Sequence, residues 1–110
     1  MVSRPRRKDS LLMLLAHALA LAEARSAIAS LADRAHTRDA SLEYERALLQ
    51  LDWTHHDVTP GITPALDDSR DVLLGIAETA IDLLVSFGVD ALELELVLSM
   101  LDAARAKDDG

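Results

Sequence analysis

Apolar residues fill almost every position of residues 11–22, a pattern that indicates an α-helix. His17 is the one polar residue in this run, and at about 100° per residue it falls near the middle of the apolar face. Asp9 or Ser10 can cap the start of the helix. His17 is therefore either a core residue with a hydrogen-bond partner or part of a site. The rest of the face consists of Met13, Leu14, Ala20, Leu21, Ala24, Ala27, Ile28, Leu31 and Ala35.

A second apolar stripe lies on the opposite side of the same helix. It is formed by Leu12, Leu15 and Leu19, which are spaced at helical intervals. A helix that is apolar on two sides lies in the centre of its domain or at a subunit interface. We therefore predict a homodimer that packs through residues 11–22.

Polar residues dominate positions 33–41 and predict a break after the first helix, with Thr37 or Asp39 capping a second helix that ends near Trp53. The alternative is one continuous helix, because apolar residues recur every seven positions across the proposed break. These residues are Leu14, Leu21, Ile28, Ala35, Leu42 and Leu49.

Residues 52–63 have the composition of a loop and contain a Pro-Gly turn signal. Thr63 and Pro64 follow as a predicted N-cap and first helical position, so we expect a third helix over residues 64–87. Gly88 is the predicted C-cap of that helix.

The last helix has the clearest local signature in the chain. Asp90 is its predicted N-cap, Glu93 stands at the third helical position, and Val89 and Leu94 can form a hydrophobic staple. The connection from the third helix is short, which predicts an antiparallel hairpin.

Composition supports an all-α fold. The chain has 21 Leu and 18 Ala, which are strong helix formers, but only 4 Gly and 3 Pro. We predict an up-and-down bundle of four helices over residues 9–110, or of three if the first two are continuous. Residues 1–8 are expected to be a disordered basic tail.

Charge separates this tail from the body. The net charge is −8, and Arg4, Arg6, Arg7 and Lys8 contribute +4, which leaves −12 on residues 9–110. An acidic body repels phosphate backbones, so we expect no nucleic-acid binding by the folded domain. The tail alone could contact nucleic acid or an anionic membrane.

The N-terminus resembles a secretory signal, with basic residues, an apolar run and Ala-x-Ala sites. The apolar phase nevertheless continues to Ala35, which a cleaved signal has no reason to do. The run is also shorter than the roughly 20 residues of a membrane span. With no cysteine in the chain, these features favour a cytoplasmic protein, and the Arg- and Ala-rich composition is typical of a bacterial one.

Three neighbouring residues are the best candidates for metal binding or acid–base chemistry: His55, His56 and Asp57, beside Trp53. Adjacent histidines cannot easily bind one ion, however, and no Glu-x-x-His pair or HExxH motif accompanies them. The alternative is a polar loop in which Trp53 plugs the end of the bundle.

Glu93 lies between two apolar stripes of the last helix, which makes it a candidate partner for His17. His17, Trp53 and Glu93 are therefore the candidate ligand-binding residues. The stripe of Asp71, Glu78 and Asp82 could bind a cation or a basic partner, or be a solvated face. We expect no cofactor, because the chain has no phosphate-binding loop or nucleophile elbow.

These features favour a non-enzymatic interaction or scaffold protein, since apolar surface is abundant and polar residues do not converge. One alternative is a small-molecule-binding protein or small enzyme, with its site in the bundle interior or at the loop of residues 52–63. A second alternative is a regulator that uses the basic tail.

Overall fold

The structure is a computed structural model that describes residues 7–54 and 69–109. This part of the chain contains no β-strand, which confirms the predicted all-α class. Its four helices are α1 (Arg7–Arg34), α2 (Arg38–Thr54), α3 (Arg70–Ser86) and α4 (Ala91–Asp109).

The break between α1 and α2 is confirmed, and the alternative of one continuous helix is wrong. The Thr37 hydroxyl accepts a hydrogen bond from the Ala40 N–H at 3.1 Å, so Thr37 is the N-cap of α2. Across the turn, the Ser41 hydroxyl donates to the Ala32 carbonyl at 2.9 Å and joins the two helices.

Helix α1 is much longer than its partners. It has 28 residues, or about 42 Å, against 17 residues and about 25 Å for α3. The helix already begins at Arg7, so Asp9 and Ser10 lie inside it. The prediction that one of them is the N-cap is therefore wrong. Residues 7–19 are called the arm below, because His17 is level with Phe87 at the end of α3 and the ten helical residues before His17 lie beyond that level.

Helix α3 begins at Arg70 rather than at residue 64. Ser69 has an extended backbone, and its hydroxyl accepts a hydrogen bond from the Val72 N–H, so Ser69 is the N-cap. The predicted cap pair of Thr63 and Pro64 lies outside the described residues.

The connection from α3 to α4 is formed as predicted. Gly88 has φ 93° and donates its N–H to the Val85 carbonyl, while Val89 donates to Leu84, which is a Schellman motif. The Asp90 carboxylate then accepts from the backbone N–H two residues on at 2.9 Å and caps α4.

The order of the helices differs from the predicted up-and-down bundle. Asp108, near the end of α4, contacts both His36 in the α1–α2 turn and Arg70 at the start of α3. Helices α2 and α3 therefore begin at the same end and run parallel. The segment that joins the end of α2 to the start of α3, residues 55–68, lies outside the described residues.

The main packing surfaces join α1 to α3 and α2 to α4, with a further contact between α1 and α2. Helices α3 and α4 run in opposite directions, as predicted for a hairpin, but their contact is smaller than those of the other three packed pairs. The end of the bundle where α2 and α3 begin, near Asp108, is called the latch end below. The opposite end, where α2 finishes at Thr54 and α3 at Ser86, is called the groove end.

The core consists almost entirely of Leu, Ile and Ala, and Tyr44 is its largest fully buried side chain. On α1 the predicted inward face is confirmed from Ala20 to Leu31, since Leu21, Ile28 and Leu31 are buried, whereas the side chains of Met13 and Leu14 lie outside the description. The opposite stripe is not buried in a single chain, because Leu12, Leu15 and Leu19 are more than half exposed.

Candidate functional site

The latch end is closed by one buried carboxylate. The Asp108 side chain is only 1% exposed, accepts the His36 backbone N–H at 2.6 Å and pairs with the Arg70 guanidinium. Burial raises the pKa of this carboxyl, but the His36 hydrogen bond and the Arg70 charge outweigh it and hold the pKa below its usual range. Asp108 therefore joins the α1–α2 turn, α3 and α4.

A polar cavity of about 230 Å³ lies beside this carboxylate. Its charged side chains pair with each other: Arg70 with Asp108, and Arg105 with Asp71 at 3.8 Å. Because these charges balance, the cavity has no net charge with which to attract an ionic ligand. Its lining is Tyr44, Ser69, Arg70, Asp71, Leu74, Arg105 and Asp108.

His17 lies at the groove end, where its ring stacks on Phe87 with centroids 5.8 Å apart and planes 21° apart. Its Nε2 atom is buried and makes no hydrogen bond. His17 lines neither the polar cavity nor the groove described next. The structure thus places it at the edge of the core, against an aromatic ring.

An apolar groove runs between α2 and α4 toward the groove end and has a volume of about 330 Å³. Trp53 is 72% exposed and Leu49 68% exposed, so the prediction that Trp53 plugs the bundle end is wrong. Surface tryptophan beside exposed leucine is typical of a contact site. The groove is lined by Arg46, Leu49, Gln50, Trp53 and Met100.

The wall on α4 continues this apolar surface. Leu92, Leu96 and Met100 are spaced four residues apart and therefore share one side of the helix. Leu92 is 76% exposed and Leu96 is nearly half exposed. This row of Leu92, Leu96 and Met100 extends the groove by about 12 Å toward the start of α4. The name apolar groove is used below for the groove together with this row.

Glu93 lies in the first turn of α4, beside this row, and its backbone N–H donates to the Asp90 cap at 3.4 Å. It is partly buried. The proposed pairing of Glu93 with His17 stays a prediction.

Charge is distributed unevenly around the groove end. Residues 72–104, which include most of α3 and α4 and the turn between them, contain six acidic residues and no Lys or Arg. Of the predicted acidic stripe, Asp71, Glu78 and Asp82 are all exposed, and Asp71 pairs with Arg105. The arm, by contrast, begins with Arg7 and Lys8.

His55, His56 and Asp57 lie outside the described residues, so their proposed chemistry stays a prediction. Within residues 7–54 and 69–109, no group of three or more His, Cys, Asp and Glu side chains could hold a metal ion. In the same ranges, every helix is too short or too polar to cross a membrane.

No protein-family model, curated protein or solved structure matches this chain.

Sequence reasoning found Trp53 and the row on α4 separately but missed that they line one groove. Leu42 and Leu49, whose spacing of seven residues favoured the alternative of one continuous helix, are both exposed on α2. The roles of Asp108 and Arg70 left no signal, because they are 38 residues apart in the chain.

Proposed function

We propose that this chain is a non-enzymatic helical interaction module that works as a homodimer formed through residues 11–22. The observation that supports this proposal is the pair of exposed apolar surfaces at one end of the bundle: the stripe on the arm and the apolar groove. Large contiguous apolar patches on a small domain are typical of contact sites.

A cytoplasmic, bacterial setting remains part of this proposal and rests on composition. A small-molecule function has less support. The charged side chains of the polar cavity pair with each other, and His17 lines neither that cavity nor the apolar groove. The tail-based regulator has no observation in its favour within the described residues.

The proposal is tested by light scattering coupled to gel filtration at micromolar concentration. We expect twice the mass of a single chain. The variant Leu15→Glu should shift the protein to the monomer, because it places a charge in the apolar stripe.

Val72→Glu is the matched control, since Val72 is about half exposed on α3 and lies at the latch end. It adds the same charge and should leave the dimer intact. A wild-type protein that is monomeric throughout the micromolar range would refute the proposed homodimer.

A further inference from the structure

One side of α1 changes from exposed to buried along its length. Leu12, Leu15 and Leu19 follow each other at intervals of three and four residues, so they share one side of the helix. Ser26 and Ser30 continue the same helical spacing and lie on the same side. The three leucines are more than half exposed, whereas the two serines are only 3% and 5% exposed. The rest of the chain therefore covers this side of α1 at the serines but leaves the leucines of the arm in solvent.

The span of α1 that precedes this covered part has its midpoint at Leu15. It extends from the start of the helix at Arg7 to Glu23, the last exposed residue before Ser26. The helix rises about 24 Å over this span. Leu15 is also the middle residue of the leucine stripe. An antiparallel second copy centred on Leu15 would therefore use the whole span in both helices.

The leucine stripe is complementary to a second copy of itself. Leucines at intervals of three and four residues form the contact seam of paired helices, where each side chain fits between those of the facing helix. When Leu15 of both copies lies beside the two-fold axis, Leu12 of one copy comes within about one helical residue of the level of Leu19 of the other. The contact is isologous, so this pairing occurs twice.

The burial of the two serines favours the antiparallel orientation. In a parallel pair in register, Ser26 and Ser30 of the two copies would face each other, on the side that each chain already covers. An antiparallel copy instead leads its covered part away, past the start of the first helix.

Net charge favours the same orientation. The chain carries −8 and residues 1–8 carry +4, which leaves −12 on residues 9–110. A parallel pair would place two acidic bodies side by side, and like charges repel. An antiparallel pair places the bodies at opposite ends of the contact and brings the start of each helix level with Glu23 of the other copy, which is exposed.

We propose that α1 of one copy packs antiparallel on α1 of a second copy, with Leu15 of both copies beside the two-fold axis. This inference rests on the proposed homodimer and goes further, because it assigns the partner surface, the orientation and the register of the contact. The apolar groove takes no part in it and stays on the surface of the dimer.

Cysteine cross-linking tests the orientation, since the natural sequence contains no cysteine. A disulfide needs two Cα atoms within about 7 Å of each other. We expect disulfide-linked dimers when Leu12→Cys protein is mixed with Leu19→Cys protein and oxidised. Either variant alone should give little product, because two copies of the same residue lie about 9–12 Å apart along the antiparallel pair. Leu12→Cys mixed with Val72→Cys is the control for chance collisions and should not cross-link.

Trp53 gives a second test that needs no substitution. It is the only tryptophan of the chain and lies in the apolar groove. Its fluorescence emission should stay constant as the protein concentration rises through the midpoint of the change in mass. A shift to shorter wavelength with the same midpoint would place the groove in the interface and overturn the α1–α1 contact.

The outcomes separate the two proposals. Cross-linking of each variant with itself, in place of the mixed pair, would show a parallel pair of helices, which overturns the proposed orientation and leaves the homodimer standing. A dimeric mass without cross-linking in any of these samples would overturn the α1–α1 contact alone. A monomeric mass at every concentration would overturn both proposals.

Discussion

At the latch end, the Asp108 carboxylate is buried and binds two other segments of the chain, whereas at the groove end Trp53 and Leu92 leave most of their surface in solvent. The latch end uses its side chains to hold the fold together. The groove end is held by the backbone hydrogen bonds around Gly88 and by the Arg25–Asp52 ion pair between α1 and α2, and it keeps several large apolar side chains on the surface. The two ends therefore differ in exposed apolar surface, which is the feature on which the proposed dimer depends.

The largest effect should come from removing the latch carboxylate. Asp108→Ala removes the carboxylate that pairs with the half-buried Arg70 and that accepts the His36 N–H, so we expect a loss of about 2–3 kcal/mol in the free energy of unfolding. Urea denaturation measures this change. The control Asp102→Ala alters an exposed residue of the same helix and should stay within about 0.5 kcal/mol. If both variants lost the same free energy of unfolding, the buried Asp108 contacts would not be what stabilises the latch end.

Low pH should reduce the stability that Asp108 contributes at the latch end. The pKa of Asp108 is lower in the folded chain than in the unfolded one, so its contribution to stability is complete above about pH 4 and is lost as pH falls through the folded pKa. Wild-type protein should therefore lose more stability between pH 5 and pH 3 than Asp108→Asn does. Parallel pH profiles would contradict the assignment.

The groove end should respond to changes in backbone conformation. Gly88→Ala meets no atoms within 4 Å but must adopt φ 93°, so we expect a loss of about 1 kcal/mol. Gly75→Ala also enters open space, within α3, and should stabilise the protein by about 0.5–1 kcal/mol. Thermal unfolding of both variants checks these opposite signs, and a common sign would contradict the explanation.

The smallest effect on folding should come from the groove itself. Trp53→Ala, measured at a concentration where the chain is monomeric, should change the free energy of unfolding by less than about 1 kcal/mol, because the side chain is mostly exposed. Leu51→Ala, two residues away and fully buried, should cost about 3 kcal/mol. A large loss in Trp53→Ala would mean that the groove also supports the fold.

Local features of this fold could be predicted from the sequence. The inward face of α1 follows from periodicity, and the Gly88 and Asp90 caps follow from residue chemistry that acts over a few positions. The seven-residue spacing of apolar residues was misleading as a sign of one continuous helix. Leu21 and Ile28 are buried, but Leu42 and Leu49 are exposed, because the turn before α2 changes the helical phase.

The arrangement of the helices could not be predicted in this way. The start of α3 is placed by its contact with Asp108, and the groove is formed by two helices far apart in the chain. Periodicity within one helix contains no information about either pairing, so the candidate site could be predicted only as separate fragments.

Because α1 packs mainly on α3 and α2 mainly on α4, each half of the chain needs the other half to cover its core. When synthesis has produced residues 1–54, the helical hairpin of α1 and α2 still has most of its inner face uncovered, and the core closes only after α4 is complete. Folding should then be a single cooperative transition with no stable half. For the same reason the chain could be split within residues 55–68, and two fragments expressed separately should recombine into one bundle, since each supplies the surface that the other lacks.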